Sequence, residues 1–134
     1  MSTKIFLNLP VKDVKRSMAF FTELGWTFNK QFTDDTAASM VISDDIYCML
    51  LSHEKFRQFT DKAITDTATS TEVLIALALD SKEAVHTLVD AAVRAGATAE
   101  PLNDYGFMIQ RAFVDLDGHN WAINYMDPAH VQPS

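Results

Sequence analysis

Only a few side chains in this sequence combine a reactive type with a spacing that could support chemistry. His53 and Glu54 are adjacent after the fourth predicted strand, where an imidazole and a carboxylate could exchange protons with a bound molecule. Gln110 and Arg111 are consecutive on a predicted strand, so one side chain points inward and the other outward. An inward Arg111 could bind a carboxylate, whereas an outward Arg111 would pair with a surface acid. Since no third group beside His53 is identifiable, the sequence points to no particular reaction.

The composition excludes several classes of partner. The 134-residue chain has a formal net charge of −7 and no cluster of Lys and Arg, which a nucleic-acid or anionic-membrane surface would need. Cys48 is the only cysteine, so an intrachain disulfide is impossible, and we expect it to be a small core residue. No apolar run resembles a signal peptide, and none is long enough to cross a bilayer. We therefore expect a cytoplasmic protein that binds neither nucleic acid nor membrane.

A strand followed by a helix occurs twice in the chain. The alternating segment 5–11 leads through Asp13 into a helical pattern that a glycine ends. The alternating segment 73–79 leads through Ser81 into a second helical pattern, also ended by a glycine. The two copies begin 68 residues apart (73 − 5), too far for a solenoid repeat. This spacing suits two small modules that share one sheet system.

Each copy continues into three short strands, and a polar connector separates the copies. The further strands are predicted at 26–32, 37–42 and 46–51 in the first copy and at 98–102, 107–115 and 120–126 in the second. The connector is rich in Thr, Asp and Ser. The predicted fold is α+β with two βαβββ modules in a single domain, 1–134. Module one covers about 1–59, the connector about 60–71 and module two about 72–127, followed by a short tail.

Two sets of motifs resemble a known superfamily over nearly the whole chain. The first set resembles the vicinal oxygen chelate superfamily, which includes glyoxalase I, extradiol dioxygenases and bleomycin-resistance proteins. It consists of Val11-Lys12-Asp13 with Ser17, Phe20 and Phe21, of Leu24-Gly25-Trp26, and of Asp115-Leu116-Asp117-Gly118-His119-Asn120-Trp121. The second set resembles a bacterial branch of this superfamily labelled "predicted lactoylglutathione lyase". It consists of Asn8-Leu9-Pro10-Val11-Lys12-Asp13 and Gly106-Phe107-Met108. The resemblance implies one cupped mixed sheet system with the helices on its convex side. These motifs are specific for a fold and much less so for an activity.

In metal-dependent members, the resemblance implies four ligand positions on the concave side of the sheets. Carried over to this sequence, these positions are Phe6, Tyr47, Leu74 and Ala122. Three of these side chains cannot bind a metal, and the phenol of Tyr47 is a poor ligand for the ions concerned. We therefore expect no metal and no other cofactor. A divalent metal remains the alternative that the lyase label implies.

Strand alternation predicts what lines the concave side. If the four carried-over positions face it, the predicted lining is Phe6, Asn8, Tyr47, Met49, Leu74, Ala122, Asn124 and Met126, with Leu51, Ala76 and Ala78 beside them. Arg111 and His53 could reach the same cavity. Its polar groups would be Asn8, Asn124 and the Tyr47 hydroxyl, which suits a planar or aliphatic small molecule. The alternative is that the larger side chains fill the cavity as core.

Three functions follow from these expectations. The first is a metal-free protein that binds an apolar small molecule in the concave sheet cavity. The second is a divalent-metal-dependent lyase of the lactoylglutathione type or a dioxygenase, as the resemblance implies. The third is a structural or interaction dimer with a filled cavity. Two-module members usually form homodimers, and Trp26, Phe28 and Phe32 could lie at such an interface or in the core.

Overall fold

The computed structural model describes residues 3–130. The chain divides into two compact units. The first unit comprises Met1–Asp66 and the second Thr67–Ser134. Each unit contains a mixed sheet and few helices. The α+β class predicted from the sequence is therefore confirmed.

The first unit has a four-stranded sheet. Its elements are β1 (Ile5–Val11), α1 (Val14–Glu23), β2 (Thr27–Asn29), a 3-10 turn (Lys30–Phe32), β3 (Ala37–Val41), β4 (Ile46–Ser52) and α2 (His53–Phe56). The strand order is β1-β4-β3-β2. Strand β1 is parallel to β4, whereas β3 is antiparallel to both of its neighbours. A parallel first pair requires a crossover between its strands.

The second unit repeats this plan with one more strand. Its elements are β5 (Leu74–Ala78), α3 (Lys82–Arg94), β6 (Thr98–Ala99), β7 (Asn103–Asp104), β8 (Met108–Val114), β9 (Asn120–Met126) and a 3-10 turn (Pro128–His130). The strand order is β5-β9-β8-β6, and β7 also pairs with β8. Again the first strand is parallel to the last one. Within residues 3–130, no helix has the length and apolar composition needed to cross a membrane.

The two long helices begin and end as the sequence pattern predicts. Asp13 caps α1 and Ser81 caps α3, and each side chain accepts a hydrogen bond from a backbone N–H of the first turn. Gly25 and Gly96 follow the helices with φ of +99° and +117°. A residue without a Cβ takes up this backbone conformation at no steric cost. The duplicated strand-helix construction is thus present in both units.

Strand alternation separates a core face from an opposite face in the second unit. Ile75 and Leu77 of β5 are buried, as are Trp121 and Ile123 of β9. Helix α3 packs on β8 and β9 and covers this face. In the first unit, the side chain of Cys48 is likewise buried, as expected for a small core residue.

Two predicted strands are shorter in the structure than expected. The strand predicted at 26–32 ends at Asn29, whose Oδ1 accepts a hydrogen bond from the backbone of Gln31 and starts the 3-10 turn. The strand predicted at 98–102 ends at Ala99 in β6, and a further short strand, β7, follows at Asn103–Asp104. Ala99 pairs with Phe113, and Asn103 pairs with Gln110. The chain therefore advances four residues from β6 to β7 while β8 advances only three. This extra residue is a bulge, and it places Asn103 opposite Gln110.

Candidate functional site

Each sheet has a second face, opposite the buried one, that we call its open face. Large apolar side chains lie exposed there: Phe6 on β1 is 54% exposed, Leu74 on β5 is 70% exposed and Met126 on β9 is 39% exposed. The other predicted lining residues are half-buried or exposed, except Leu51, which is buried. Phe6 belongs to the first sheet, and on the second sheet Leu74 pairs with Asn120, six residues before Met126, so Leu74 and Met126 lie at opposite ends of that face.

An aromatic stack marks the open face of the first unit. The rings of Phe6 and Tyr47 lie 4.8 Å apart with an interplanar angle of 12°. The Tyr47 hydroxyl donates to the Asp44 carbonyl oxygen at 2.7 Å, and Lys4 Nζ lies 5.5 Å from the centre of the same ring. The Asn8 amide donates to the carbonyl oxygen of Phe6 at 3.1 Å. The polar groups predicted for this face are thus engaged by their own strands and turn.

Met49 and His53 complete the predicted residues of the first unit. Met49 is half-buried and pairs with Asn8 across the parallel β1–β4 ladder. His53 is the first residue of α2 and is half-buried, while Glu54 is exposed. Among residues 3–130, the His53 side chain makes no hydrogen bond or ion pair. Within the described part of the chain, no group is therefore hydrogen-bonded to His53 in the way that would orient a catalytic base.

The open face of the second unit carries side-chain amides in one line across three strands. Asn103 on β7 pairs with Gln110 on β8, and Gln110 pairs with Asn124 on β9. Directly paired antiparallel residues point to the same face with Cβ atoms about 4.5–5.5 Å apart. We call Asn103, Gln110 and Asn124 the amide row. Ala78 on β5 continues the line beyond Asn124.

A line of alanines runs beside the amide row. Ala112 on β8 pairs with Ala122 on β9, which pairs with Ala76 on β5. The two lines are two residues apart along each strand, a separation of about 7 Å. On the other side of the amide row, Met108 pairs with Met126. The amides therefore lie between short methyl side chains and flexible thioethers on an otherwise apolar part of the face.

Asn124 has an unusual position within the amide row. Its Oδ1 is shielded from solvent and accepts no hydrogen bond within the described part of the chain. Such an acceptor costs about 1–3 kcal/mol when it is left without a donor. Buried polar side-chain atoms nearly always have a partner, which is another protein group, an ordered water or a bound molecule. Asn124 is thus the strongest candidate binding residue of this unit.

Arg111 does not share the open face with Gln110. It pairs with Ile123 on the core side of the sheet, and its Nη1 donates to Asp90 Oδ1 of α3 at 2.8 Å. Nη1 also lies 3.2 Å from His86 Nδ1. The hydrogen bond from Arg111 lowers the pKa of the Asp90 carboxyl below its usual value. Of the two directions left open for Arg111, the structure has the one in which it pairs with an acid.

A buried carboxylate holds the turn between β8 and β9 in shape. Asp115 Oδ1 accepts from the backbone N–H groups of Asp117 and His119 at 2.9 and 3.0 Å, and its Oδ2 accepts from Trp121 Nε1 at 3.0 Å. Burial of this side chain raises the pKa of Asp115 above its usual value. The network fixes the start of β9 and hence the register in which Asn124 faces Gln110.

Strand register corrects one of the four positions carried over for a metal. Phe6 lies seven residues before the capping Asp13, and Leu74 seven before the capping Ser81 (13 − 6 and 81 − 74), so the two correspond. Asn8 pairs with Met49, whereas the corresponding Ala76 pairs with Ala122. The counterpart of Ala122 is therefore Met49 and not Tyr47.

The residues at the corrected positions do not fit a divalent metal. They are Phe6, Met49, Leu74 and Ala122, which offer one thioether and no oxygen or nitrogen donor. Hard divalent ions take carboxylate and carbonyl oxygens, and zinc takes imidazole or thiolate as well. Within residues 3–130, no group of three or more His, Cys, Asp or Glu side chains could hold a metal ion.

Sequence reasoning missed Gln110 and Asn103 as members of the site. In the sequence Gln110 stands out only as the neighbour of Arg111, and alternation alone does not give its direction. Its pairing with Asn124 was accessible in principle, because consecutive strands joined by a tight turn pair in a register that the turn sets. Asn103 depends on the bulge between β6 and β7, which no sequence signal revealed.

Comparisons with known proteins agree with this fold. Residues 3–43 match the family model described as bleomycin resistance protein-like N-terminal. No curated protein sequence matches the chain. A hypothetical protein from S. aureus is 24% identical in sequence and has a TM-score of 0.79, and the match covers 93% of this chain and 95% of that one.

Two further solved structures carry descriptions that bear on function. A glyoxalase/bleomycin resistance protein/dioxygenase family enzyme from Burkholderia phytofirmans PsJN is 20% identical with a TM-score of 0.75, covering 93% of this chain and 99% of that one. A bleomycin-binding protein, solved in complex with bleomycin, is 17% identical with a TM-score of 0.65, covering 92% and 98%. The chain has the fold of these proteins, and the resemblance inferred from its motifs is confirmed at that level.

Proposed function

We propose that this protein binds a small, largely apolar organic molecule on the open face of its second sheet and that it does so without a metal. The observation that carries the proposal is the shielded, unpartnered oxygen of Asn124 in an otherwise apolar part of that face. Small-molecule sites commonly combine apolar walls with a few well-placed polar groups. The open face of the second unit has this composition.

The exposed apolar side chains supply the driving force for binding. Leu74 is 70% exposed and Met126 39% exposed, although both lie on strands whose opposite face is well packed. Removing apolar surface from water contributes about 25 cal/mol per Å², so covering about 150 Å² contributes roughly 4 kcal/mol. Part of that gain is offset by the lost freedom of the bound molecule.

Known proteins with this fold support a binding role. The bleomycin-binding protein that shares the fold was solved in complex with bleomycin. Fold likeness alone does not transfer a ligand, because one fold carries many functions. For the metal-dependent alternative, Phe6, Met49, Leu74 and Ala122 supply no suitable donor set. We therefore favour binding over a metal-assisted lyase or dioxygenase reaction.

We further propose that the protein is cytoplasmic and forms a homodimer. The single thiol, Cys48, is buried and has no second cysteine in the chain to form a disulfide with, which suits a reducing compartment. Phe32 is 61% exposed at the end of the 3-10 turn and is available to a second copy. Light scattering coupled to gel filtration is expected to give twice the 15.0 kDa chain mass. A mass of one chain would contradict the dimer and leave the binding proposal in place.

Fluorescence titration with N-phenyl-1-naphthylamine, a neutral apolar dye, tests the binding proposal. We expect a saturable rise in dye emission. Ala122→Phe should weaken binding at least tenfold, because a benzyl group would cover the alanine line. Thr87→Phe is the matched control on the exposed side of α3 and should leave binding unchanged. Absence of saturable binding, or equal binding by Ala122→Phe, would contradict the proposal.

A further inference from the structure

We propose that the bound molecule presents a planar, neutral, lactam-like edge, an N–H next to a C=O, which is recognised by the carboxamides of Asn124 and Gln110. This inference rests on the proposed binding function and names the chemical class that the site prefers. The Asn124 amide, whose oxygen is shielded in the ligand-free protein, would turn toward the open face, and this oxygen would then accept from the N–H of the ligand. The amide group of Gln110 would donate to its carbonyl oxygen.

The pairing of the two strands sets the geometry of this recognition. Gln110 and Asn124 are directly paired between β8 and β9, so both side chains leave the same face. Their Cβ atoms lie about 4.5–5.5 Å apart. Each carboxamide has one oxygen acceptor and an NH₂ donor, so two neighbouring amides can match a donor and an acceptor on one ligand edge. A lactam carries these two groups on adjacent atoms.

The hydrogen bonds of the other open-face amides distinguish Asn124 from them. Asn8 donates to the carbonyl oxygen of Phe6, and Asn120 Nδ2 donates to Thr71 Oγ1 at 3.2 Å. The Asn124 oxygen has no donor within residues 3–130, and it is also shielded from solvent. The Gln110 side chain, half-buried beside it, likewise makes no hydrogen bond to another described side chain or backbone group.

A hydrogen-bond acceptor that is shielded from solvent and lacks a donor discriminates strongly between ligands. A ligand that supplies an N–H satisfies the Asn124 oxygen, while an analogue without it leaves that oxygen desolvated and unpaired. Sites built around a hydrogen bond reject analogues that lack it far more strongly than apolar pockets reject a missing methylene. The N–H of the ligand is therefore expected to govern its affinity.

The charges and shapes around the amide row favour a neutral, planar molecule. The open-face positions of β5, β8 and β9 carry no charged side chain: Leu74, Ala76 and Ala78 on β5, Met108, Gln110, Ala112 and Val114 on β8, and Asn120, Ala122, Asn124 and Met126 on β9. The nearest cation along β8, Arg111, is paired with Asp90 on the opposite face. Because alanine side chains are short, a flat ring can approach the sheet beside the amides.

Three bicyclic compounds of similar shape test the inference by calorimetry and dye displacement. Quinolin-2(1H)-one carries the lactam edge, its N-methyl derivative lacks the N–H, and naphthalene lacks both polar groups. We expect the lactam to bind at least tenfold more tightly than the N-methyl derivative. Equal binding of the three would overturn the lactam inference while leaving the binding function intact. If neither the dye nor any compound binds, the binding function itself is wrong.

Two variants assign the preference to its residue. In Asn124→Leu, quinolin-2(1H)-one and its N-methyl derivative should bind with nearly equal dissociation constants. Asn124→Ala should give the same result if the leucine variant fails to fold. Asn120→Leu, on the same strand and face, is the matched control and should keep the tenfold preference. A preference that persists in both Asn124 variants would overturn the assignment.

Discussion

The side chains of Asn124 and Gln110 lie directly opposite each other on the open face of the second sheet, and the Asn124 oxygen is shielded without a donor. Around them the face consists of alanine methyl groups and two paired methionines. A polar pair held in an apolar surface in this way is unfavourable for folding alone. It becomes favourable when a ligand completes its hydrogen bonds.

Removing the unpartnered oxygen should stabilise the ligand-free protein. We expect Asn124→Leu to raise the free energy of unfolding by about 1–3 kcal/mol, because a desolvated acceptor is replaced by an apolar group of similar size. Urea unfolding followed by circular dichroism measures the change. Asn120→Leu should give no such gain, since it breaks the hydrogen bond to Thr71. A loss of stability in Asn124→Leu would show that its oxygen is already satisfied.

Substitution of Asp115 should destabilise the fold without touching the open face. In Asp115→Asn, one side-chain oxygen is replaced by an NH₂ group, so the network loses an acceptor for either Trp121 Nε1 or the turn backbone. A buried donor left unpaired costs about 1–3 kcal/mol of unfolding free energy. Thermal unfolding at pH 7 checks the loss. Wild-type stability in this variant would mean that the three hydrogen bonds contribute nothing.

The same substitution should change the pH dependence of stability. Burial raises the pKa of Asp115 in the folded protein, so the folded state binds its proton more tightly than the unfolded state. The resulting stabilisation is fully present below the unfolded pKa and is lost as the pH rises through the folded pKa. The free energy of unfolding of the wild type should therefore exceed that of Asp115→Asn by a smaller amount at pH 7 than at pH 3.5. A difference that grows over this interval would mean that the folded pKa is lowered.

Two glycines with similar backbone angles should respond differently to alanine. Gly25 has φ of +99° and nothing within 4 Å of an added Cβ, so Gly25→Ala should cost about 1–2 kcal/mol for the left-handed conformation alone. Gly118 has φ of +83°, and its added Cβ would lie 2.5 Å from Thr67 Oγ1. Gly118→Ala should therefore lower the free energy of unfolding clearly more than Gly25→Ala does. Comparison of the two variants by urea unfolding decides this, and equal losses would contradict the close approach of Thr67.

Addition of divalent metals should leave the protein unchanged. Phe6, Met49, Leu74 and Ala122 occupy the corresponding metal-ligand positions and supply no oxygen or nitrogen donor. After dialysis against Ni²⁺, Zn²⁺, Mn²⁺ or Fe²⁺, elemental analysis is expected to find no stoichiometric metal, and the melting temperature should not shift. One metal ion per chain with a raised melting temperature would contradict the metal-free proposal.

The fold was predictable because its signals are local and repeated. Alternation in β5 is strict, so Leu74 could be placed on the open face from the sequence alone. The first-unit counterpart of Ala122 was misplaced by two residues, from Met49 to Tyr47. A two-residue shift keeps every side chain on the same face, so the hydrophobic pattern cannot reveal it.

The candidate site was harder to predict because it depends on contacts between distant residues. Gln110 and Arg111 are both polar and adjacent, so periodicity alone does not say which one faces the core. Arg111 lies on the core side because Asp90, on α3, accepts its hydrogen bond there. Similarly, the partner of Gln110 on β7 is Asn103 because of a bulge. Composition and alternation carry no information about either contact.

A crystal structure of the protein with quinolin-2(1H)-one most directly tests whether the open face of the second unit is a binding site. We expect the ligand ring to lie over Ala76, Ala112 and Ala122, with its N–H about 2.7–3.2 Å from Asn124 Oδ1 measured between heavy atoms. A ligand bound elsewhere, or an open face covered by the protein's own side chains in crystals soaked to saturation, would contradict the proposal.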